Sequence, residues 1–139
     1  MSDVILLIHL AATGIMTGVI WVTQLVTYPE LDRSPPADFP RNHARYTRRI
    51  GLIVGPAMIT ELLTGIALLA SATGPQRSAL IASLVLLAAI WLSTTLIQIP
   101  CHNRLGRGYD AAVHRRLVTT NWIRTGGWSA RLLLLLIAT

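Results

Sequence analysis

The chain has 139 residues, 53% of them hydrophobic and only 13% charged, roughly half the charged share of an ordinary soluble domain. Its net charge of +6 comes from arginine alone, since the sequence contains no lysine. A lone cysteine, Cys101, excludes an internal disulfide, and a glutamate pair, Glu30 and Glu61, is too few for a di-iron carboxylate centre.

Residues 4–28 carry no charge and predict a first transmembrane helix over about that range. The leading MSDV has no positive charge and the apolar run behind it is long, so the segment reads as a span and not as a cleavable leader. PELDRSPPADFPRN follows, where Pro35, Pro36 and Pro40 predict a loop without regular helix. The loop hands over to an Arg-rich segment, and a second helix is expected over about 43–73, starting near Asn42. Its apolar part, residues 50–73, contains one charged residue, Glu61. SATGPQRS is a short turn with a Gly-Pro break. A third helix is expected over about 78–100, with no charge from 78 to 99. CHNRLGRGYDAAVH, after Pro100, predicts a loop that becomes an interfacial helical stretch from Tyr109 onward. The last helix is expected over about 115–138 and carries Arg124 and Arg131 into an apolar run, NWIRTGGWSARLLLLL.

The expected fold is therefore all-α: one integral membrane domain, residues 1–139, built as an up-down bundle of four transmembrane helices. Arg33, Arg41, Arg45, Arg48 and Arg49 fall around the first loop, and Arg104, Arg107, Arg115 and Arg116 around the third. The positive-inside rule puts those loops in the cytoplasm and both termini on the opposite side. The expected location is a bacterial inner (plasma) membrane, with the Arg-rich face against anionic lipid. The basic charge does not point to nucleic acid, because no aromatic or fold motif accompanies it.

Each helix has a polar line on an oily cylinder. The first carries His9, Thr13, Thr17, Trp21, Gln24 and Tyr28; the second His43, Thr47, Glu61 and Gly65. The third carries Trp91, Thr95, Gln98 and His102; the fourth His114, Asn121, Arg124, Trp128 and Arg131. Lipid cannot satisfy such groups, so the lines should turn inward on one another. At a helical rise of about 1.5 Å per residue, Gln24, Tyr28, His43, Tyr46, Gln98, His102, Asn103, Asn121 and Arg124 gather in the cytoplasmic half. Glu61 lies near mid-depth, with Arg131 and His9 toward the outer side. Arg131 either reaches Glu61 or snorkels to the outer interface.

These residues predict an intramembrane pocket for a flat lipophilic molecule with phenol or carbonyl groups. Arg124 would stabilise an enolate or phenolate, with His102 or His43 as general base and Asn121 beside them. Gln98, His43, Tyr46, Trp128, Glu61 and Gln24 are the expected binding residues. No cofactor is required. If haem or a metal is bound, His9, His43 and His102 are the candidate ligands, with His114 near the last two.

QIPCHNRL followed by TTNWIRT resembles the third- and fourth-helix signature of the anthrone oxygenase-like family of small four-helix membrane proteins. Gln98, Pro100, His102 and Leu105 occupy the first motif, and Asn121, Arg124 and Thr125 the second. Gln98 and His102 stand where the family has Asn, and Trp122 where it has His. The resemblance covers about a third of the chain and implies cofactor-independent oxygenation of an activated phenolic ring. His9, Trp21 and the Tyr28-Pro29 end of the first helix are similar to the haem-binding four-helix protoporphyrinogen oxidases, which rely on a lysine that this chain lacks. The expected function is an oxidoreductase, oxygenase-like, acting on an aromatic or quinone-like lipophile. The alternatives are a haem, metal or small-molecule binding or transport module, and an accessory subunit or homo-oligomer in which the polar lines only hold helices together.

Overall fold

The structure, a computed structural model, describes residues 2–138, with the side chains of 3–137. Among these residues it is all helix and turn, without a strand. The first rod, α1, starts as Ser2–Val22, passes through a π turn at Thr23–Thr27, and ends as Tyr28–Asp32. The second, α2, is Phe39–Ser71. The third, α3, runs Gly74–Ser93, a π turn at Thr94–Gln98, then Ile99–Leu105. The fourth, α4, is Ala111–Ala138.

Every rod is longer than the apolar pattern predicts. Pro40 does not delay α2 to Asn42, because it sits in the first helical turn, where its missing N–H would have no partner anyway. Pro75 starts α3 in the same way, after Gly74 takes a left-handed φ of 54° that a side chain would resist. α4 starts at Ala111 because the Asp110 carboxylate accepts the backbone N–H of Ala112 and of Val113, both at 3.0 Å. Those N–H groups hold the Asp110 carboxyl below the usual carboxylate range, Val113 most strongly. Pro100 does not end α3. A proline inside a helix lacks an N–H and its ring strikes the carbonyl four residues back. The π turn before it widens the helix so that Ile99 N–H bonds the Thr94 carbonyl instead. Tyr28 bonds the Thr23 carbonyl just before Pro29 by the same device.

Three apolar layers stack along the rods. In the middle, Met16 and Ile20 of α1, Ala57 and Met58 of α2, Leu87 and Ile90 of α3, and Trp128 of α4 meet. At one end Tyr28, Leu31, Phe39, Cys101, Leu105 and Leu117 pack together; at the other, Leu68, Ala72, Leu80 and Leu135 do so. The outer surface is also apolar: Leu7, Leu52, Leu63, Val85, Leu96 and Ile137 all stand outward. Such a skin suits lipid and would drive aggregation in water. α1, α2 and α3 are long and apolar enough to cross a membrane by length and composition. α4, at 28 residues, is not among them, because Asn121, Arg124 and Arg131 interrupt its apolar run.

Candidate functional site

The two π turns build the polar layer. A π turn adds one residue to a helical turn and so rotates everything after it. Gln24 lies in the first and Gln98 in the second, and both are buried. On α3 this rotation breaks the expected line. Trp91 and Thr95 face outward, while Ser93, Gln98 and Cys101 turn in. Ser93 then donates to Gln98 Oε1 at 3.0 Å, and Gln98 Nε2 donates to Thr120 at 3.3 Å. On α1, Trp21 also leaves the line and donates to Ser129 from the surface.

Asn121, Gln24 and Arg124 form a connected set. Asn121 Nδ2 donates to Gln24 Oε1 at 2.8 Å, and Arg124 donates to Asn121 Oδ1 at 3.2 Å. Gln24 is held from its other end by the Val118 carbonyl, 3.2 Å away. Across the layer, the Tyr46 hydroxyl bonds Thr23 at 3.2 Å, and the Tyr28 hydroxyl lies 3.4 Å from His102 Nε2. His102 Nδ1 is 2.9 Å from His43 Nε2.

A cavity of about 280 Å³ opens inside this layer. Its polar wall is Thr23, Tyr28, Tyr46, Gln98, His102 and Arg124, and its apolar wall includes Met16, Ile20, Ile50 and Val54. Gly51 on α2, with Ile99 and Asn103 on α3, are the exposed members of the lining, so the mouth lies on the seam between those helices. Arg124 stands out. It is only 7% exposed, its single side-chain hydrogen bond goes to a neutral amide, and its Nε has no partner. Among the described residues no carboxylate pairs with it, so a full positive charge faces the cavity uncompensated. Burying a charge that way is costly unless something else neutralises it.

Four of the expected site residues, His102, Arg124, Gln98 and Tyr46, line the cavity, and Asn121, Gln24 and His43 orient them from behind. Glu61 and Trp128 do not belong there. Glu61 accepts from Arg131 in a second buried cluster, where Arg131 Nε also donates to the Ser83 carbonyl and hydroxyl at 3.0 and 3.1 Å. The Arg131 guanidinium lies 4.8 Å over the Trp128 ring, and both side chains are fully buried, so Arg131 does not snorkel. His9 is in the same cluster, 2.7 Å from Thr64 and 3.9 Å from Glu61. Thr64 is separated from His43 by 21 positions of one helix, about 30 Å. His9, His43 and His102 therefore do not converge on one haem or metal, and among the described residues no group of three or more His, Cys, Asp or Glu is placed to hold a metal ion. His114 Nδ1 faces Asp32 at 3.4 Å.

Sequence reasoning left Tyr28 out of the site, although it stands on the expected line and reaches both the cavity and His102. It missed Ser83 altogether, a small hydroxyl in an uncharged run that gives no periodic signal. Comparison with protein families, with curated proteins and with solved structures gives no match.

Proposed function

We propose that this chain is a four-span integral membrane protein that binds a lipophilic molecule with an acidic oxygen, a phenol or enol, and holds it as its anion at Arg124. The observation that carries this reading is the buried guanidinium without a carboxylate partner, facing a cavity lined by neutral polar, aromatic and apolar side chains. An anionic oxygen would complete the hydrogen bonding of Arg124, and Tyr28, Tyr46 and Gln98 offer further polar contacts around it. The lateral mouth at Gly51 and Ile99 suits a ligand that arrives dissolved in lipid.

In this reading the ligand's proton leaves toward His102, directly or through the Tyr28 hydroxyl, and Arg124 stabilises the charge that appears as it leaves. The resulting anion is electron-rich, the form of a phenolic ring that reacts with dioxygen without a cofactor. We extend the proposal to oxygenase-like chemistry in which a ring CH2 becomes a carbonyl: one atom of dioxygen forms the C=O and the other leaves as water with the two hydrogens of the broken C–H bonds, so that the substrate supplies every electron that dioxygen takes up. The topology belongs to the same reading: α4 crosses the membrane with the other three, the Arg-rich loops lie in the cytoplasm on anionic lipid of the inner membrane, and both termini lie outside. Tyr109 on the third loop donates to Asp32 at the end of α1, and Arg104 reaches Asp110 at 3.3 Å, so both basic connections gather at one end.

An alkyl nitrophenol tests the binding step, because its phenolate absorbs visible light and the neutral phenol does not. The detergent-purified protein should bind it as phenolate at a pH where the free probe is protonated. Arg124→Gln should weaken binding by about tenfold to a hundredfold, the worth of a charge-assisted hydrogen bond. Binding that ignores this substitution sinks the proposal. Dioxygen uptake with a hydroxyanthrone as probe tests the chemistry separately. Phenolate binding without uptake would make the protein a carrier and not an enzyme.

A further inference from the structure

A lipophilic acid that ionises inside this cavity must lose its proton to water. The mouth, framed by Gly51, Ile99 and Asn103, lies on the seam between α2 and α3. A second pocket lies on the far side of His102, lined by His43, Ala44, Thr47, His102, Asn103, Gly106 and Arg107. It sits at the Arg-rich end, beside the connection between α3 and α4. His102 thus stands in the wall between the two, facing the cavity on one side and the outer pocket on the other.

We infer that Tyr28, His102 and His43 form a proton relay from the internal cavity to the aqueous face, with His43 as the exit residue. The inference rests on the proposed ligand ionisation and adds the route. The distances make a continuous chain: Tyr28 Oη to His102 Nε2 is 3.4 Å, and His102 Nδ1 to His43 Nε2 is 2.9 Å. The proton balance closes. The ligand O–H gives its proton to Tyr28 Oη as Tyr28 passes its own to His102 Nε2. His102 releases the proton on Nδ1 to His43 Nε2, and His43 releases the one on its Nδ1, a buried atom with no partner among the described residues, to water admitted from the outer pocket that His43 lines. Each ring takes a proton on one nitrogen and gives one up from the other, ending in the opposite tautomer; rotation or the return of a proton resets it.

The surroundings favour passage over storage. Arg124 and His114 on α4 both bear electrostatically on His102, and Arg107 lines the outer pocket. Tyr46 on α2 flanks Tyr28 with ring centroids 6.4 Å apart. Among the described residues no carboxylate contacts either His43 or His102, so nothing nearby would trap an imidazolium. Phe39 stacks on His43 at 5.5 Å between centroids and holds its ring against His102.

The test uses the full-length protein in detergent with a bound alkyl nitrophenol and follows the phenolate absorbance after a rapid pH jump. His43→Phe keeps a flat ring but carries no proton. It should slow the relaxation of the bound probe about tenfold or more, because general acid–base groups contribute at least that much to proton transfer. Ala44→Trp leaves both imidazoles in place and plugs the outer pocket, so it should slow the relaxation too. Relaxation at the wild-type rate in either variant, with the probe bound, overturns the relay and leaves the binding reading intact. A wild-type protein that never binds the probe as phenolate overturns both. If His43→Phe does not fold, Ala44→Trp decides alone.

Discussion

Replacing Glu61 with Leu removes the carboxylate that faces Arg131 and leaves a guanidinium sealed in the apolar middle of the protein. Arg131 would keep Ser83 as acceptor at 3.0 and 3.1 Å and the Trp128 ring at 4.8 Å, but neither is a counter-charge. Both partners are fully buried, so solvent gives no relief. Removing one member of a buried pair typically costs about 3–5 kcal/mol. Arg131→Met should cost a similar amount, since it strands Glu61. The double variant, Glu61→Leu with Arg131→Met, fills the same volume with apolar groups. Such replacements are often neutral or even stabilising. The coupling between the two sites should then be at least about 3 kcal/mol, on the order of a hundredfold in the unfolding equilibrium. Equilibrium unfolding in mixed micelles, followed by tryptophan fluorescence, measures it, because Trp128 lies in the cluster. If the two single losses simply add in the double variant, the ion pair is not what holds this cluster and the reasoning fails.

The Asp110 carboxyl is depressed by the N–H groups of Val113 and Ala112, so its contribution is present above its unfolded value and is lost as pH falls through its lower folded one. Asp110→Ala should lower the melting temperature at neutral pH and flatten its acid dependence; an unchanged slope between about pH 5 and pH 2 would count against the cap. Gly65 lets α2 approach His9, since an added Cβ would meet Leu84 at 2.8 Å and His9 at 3.2 Å. Gly65→Leu should therefore push His9 off Thr64 and cost about 1–3 kcal/mol in the same unfolding assay. Cys101 is buried in the same core layer as Tyr28 and Leu117, so a maleimide should label it only as the protein unfolds. Fast labelling of the folded protein would mean that this end is open.

Much of the site could be read from spacing, and the misses share one cause. His9, Thr13, Gln24 and Tyr28 on α1, and Asn121, Arg124, Trp128 and Arg131 on α4, recur at helical intervals and are all buried. Regular spacing fails where the helix is irregular. Trp91 and Thr95 fall on the line of Gln98 and His102 only if α3 stays α-helical, and the π turn at Thr94–Gln98 removes that condition. The signal is Pro100, which reads as an end from sequence and is instead accommodated by the wider turn before it. Depth misled in a different way. Glu61 and Arg131 share polar faces with the cavity residues, but the layer of Met16, Met58, Leu87 and Trp128 lies between the two clusters, and a stripe carries no record of such a barrier. Arg131 is legible as a residue that needs a partner, with Glu61 as one of its two options; the further acceptor, Ser83, is not legible, because its neighbours in sequence are all apolar.

The doubled widening of α1 and α3 next to Pro29 and Pro100 makes these helices sensitive to length in an uneven way. Deleting a single residue from Thr23–Thr27 would shorten the rod by only about 1.5 Å, too little to alter how it spans a bilayer. The extra residue is what a π turn absorbs, so the shortened segment would close as ordinary α-helix and keep Tyr28 facing inward. The cost would fall on Pro29, whose ring would then meet the carbonyl four residues back with no wider turn to clear it. The half of the molecule around Glu61 and Arg131 would keep its packing, while the first rod would bend beside the cavity.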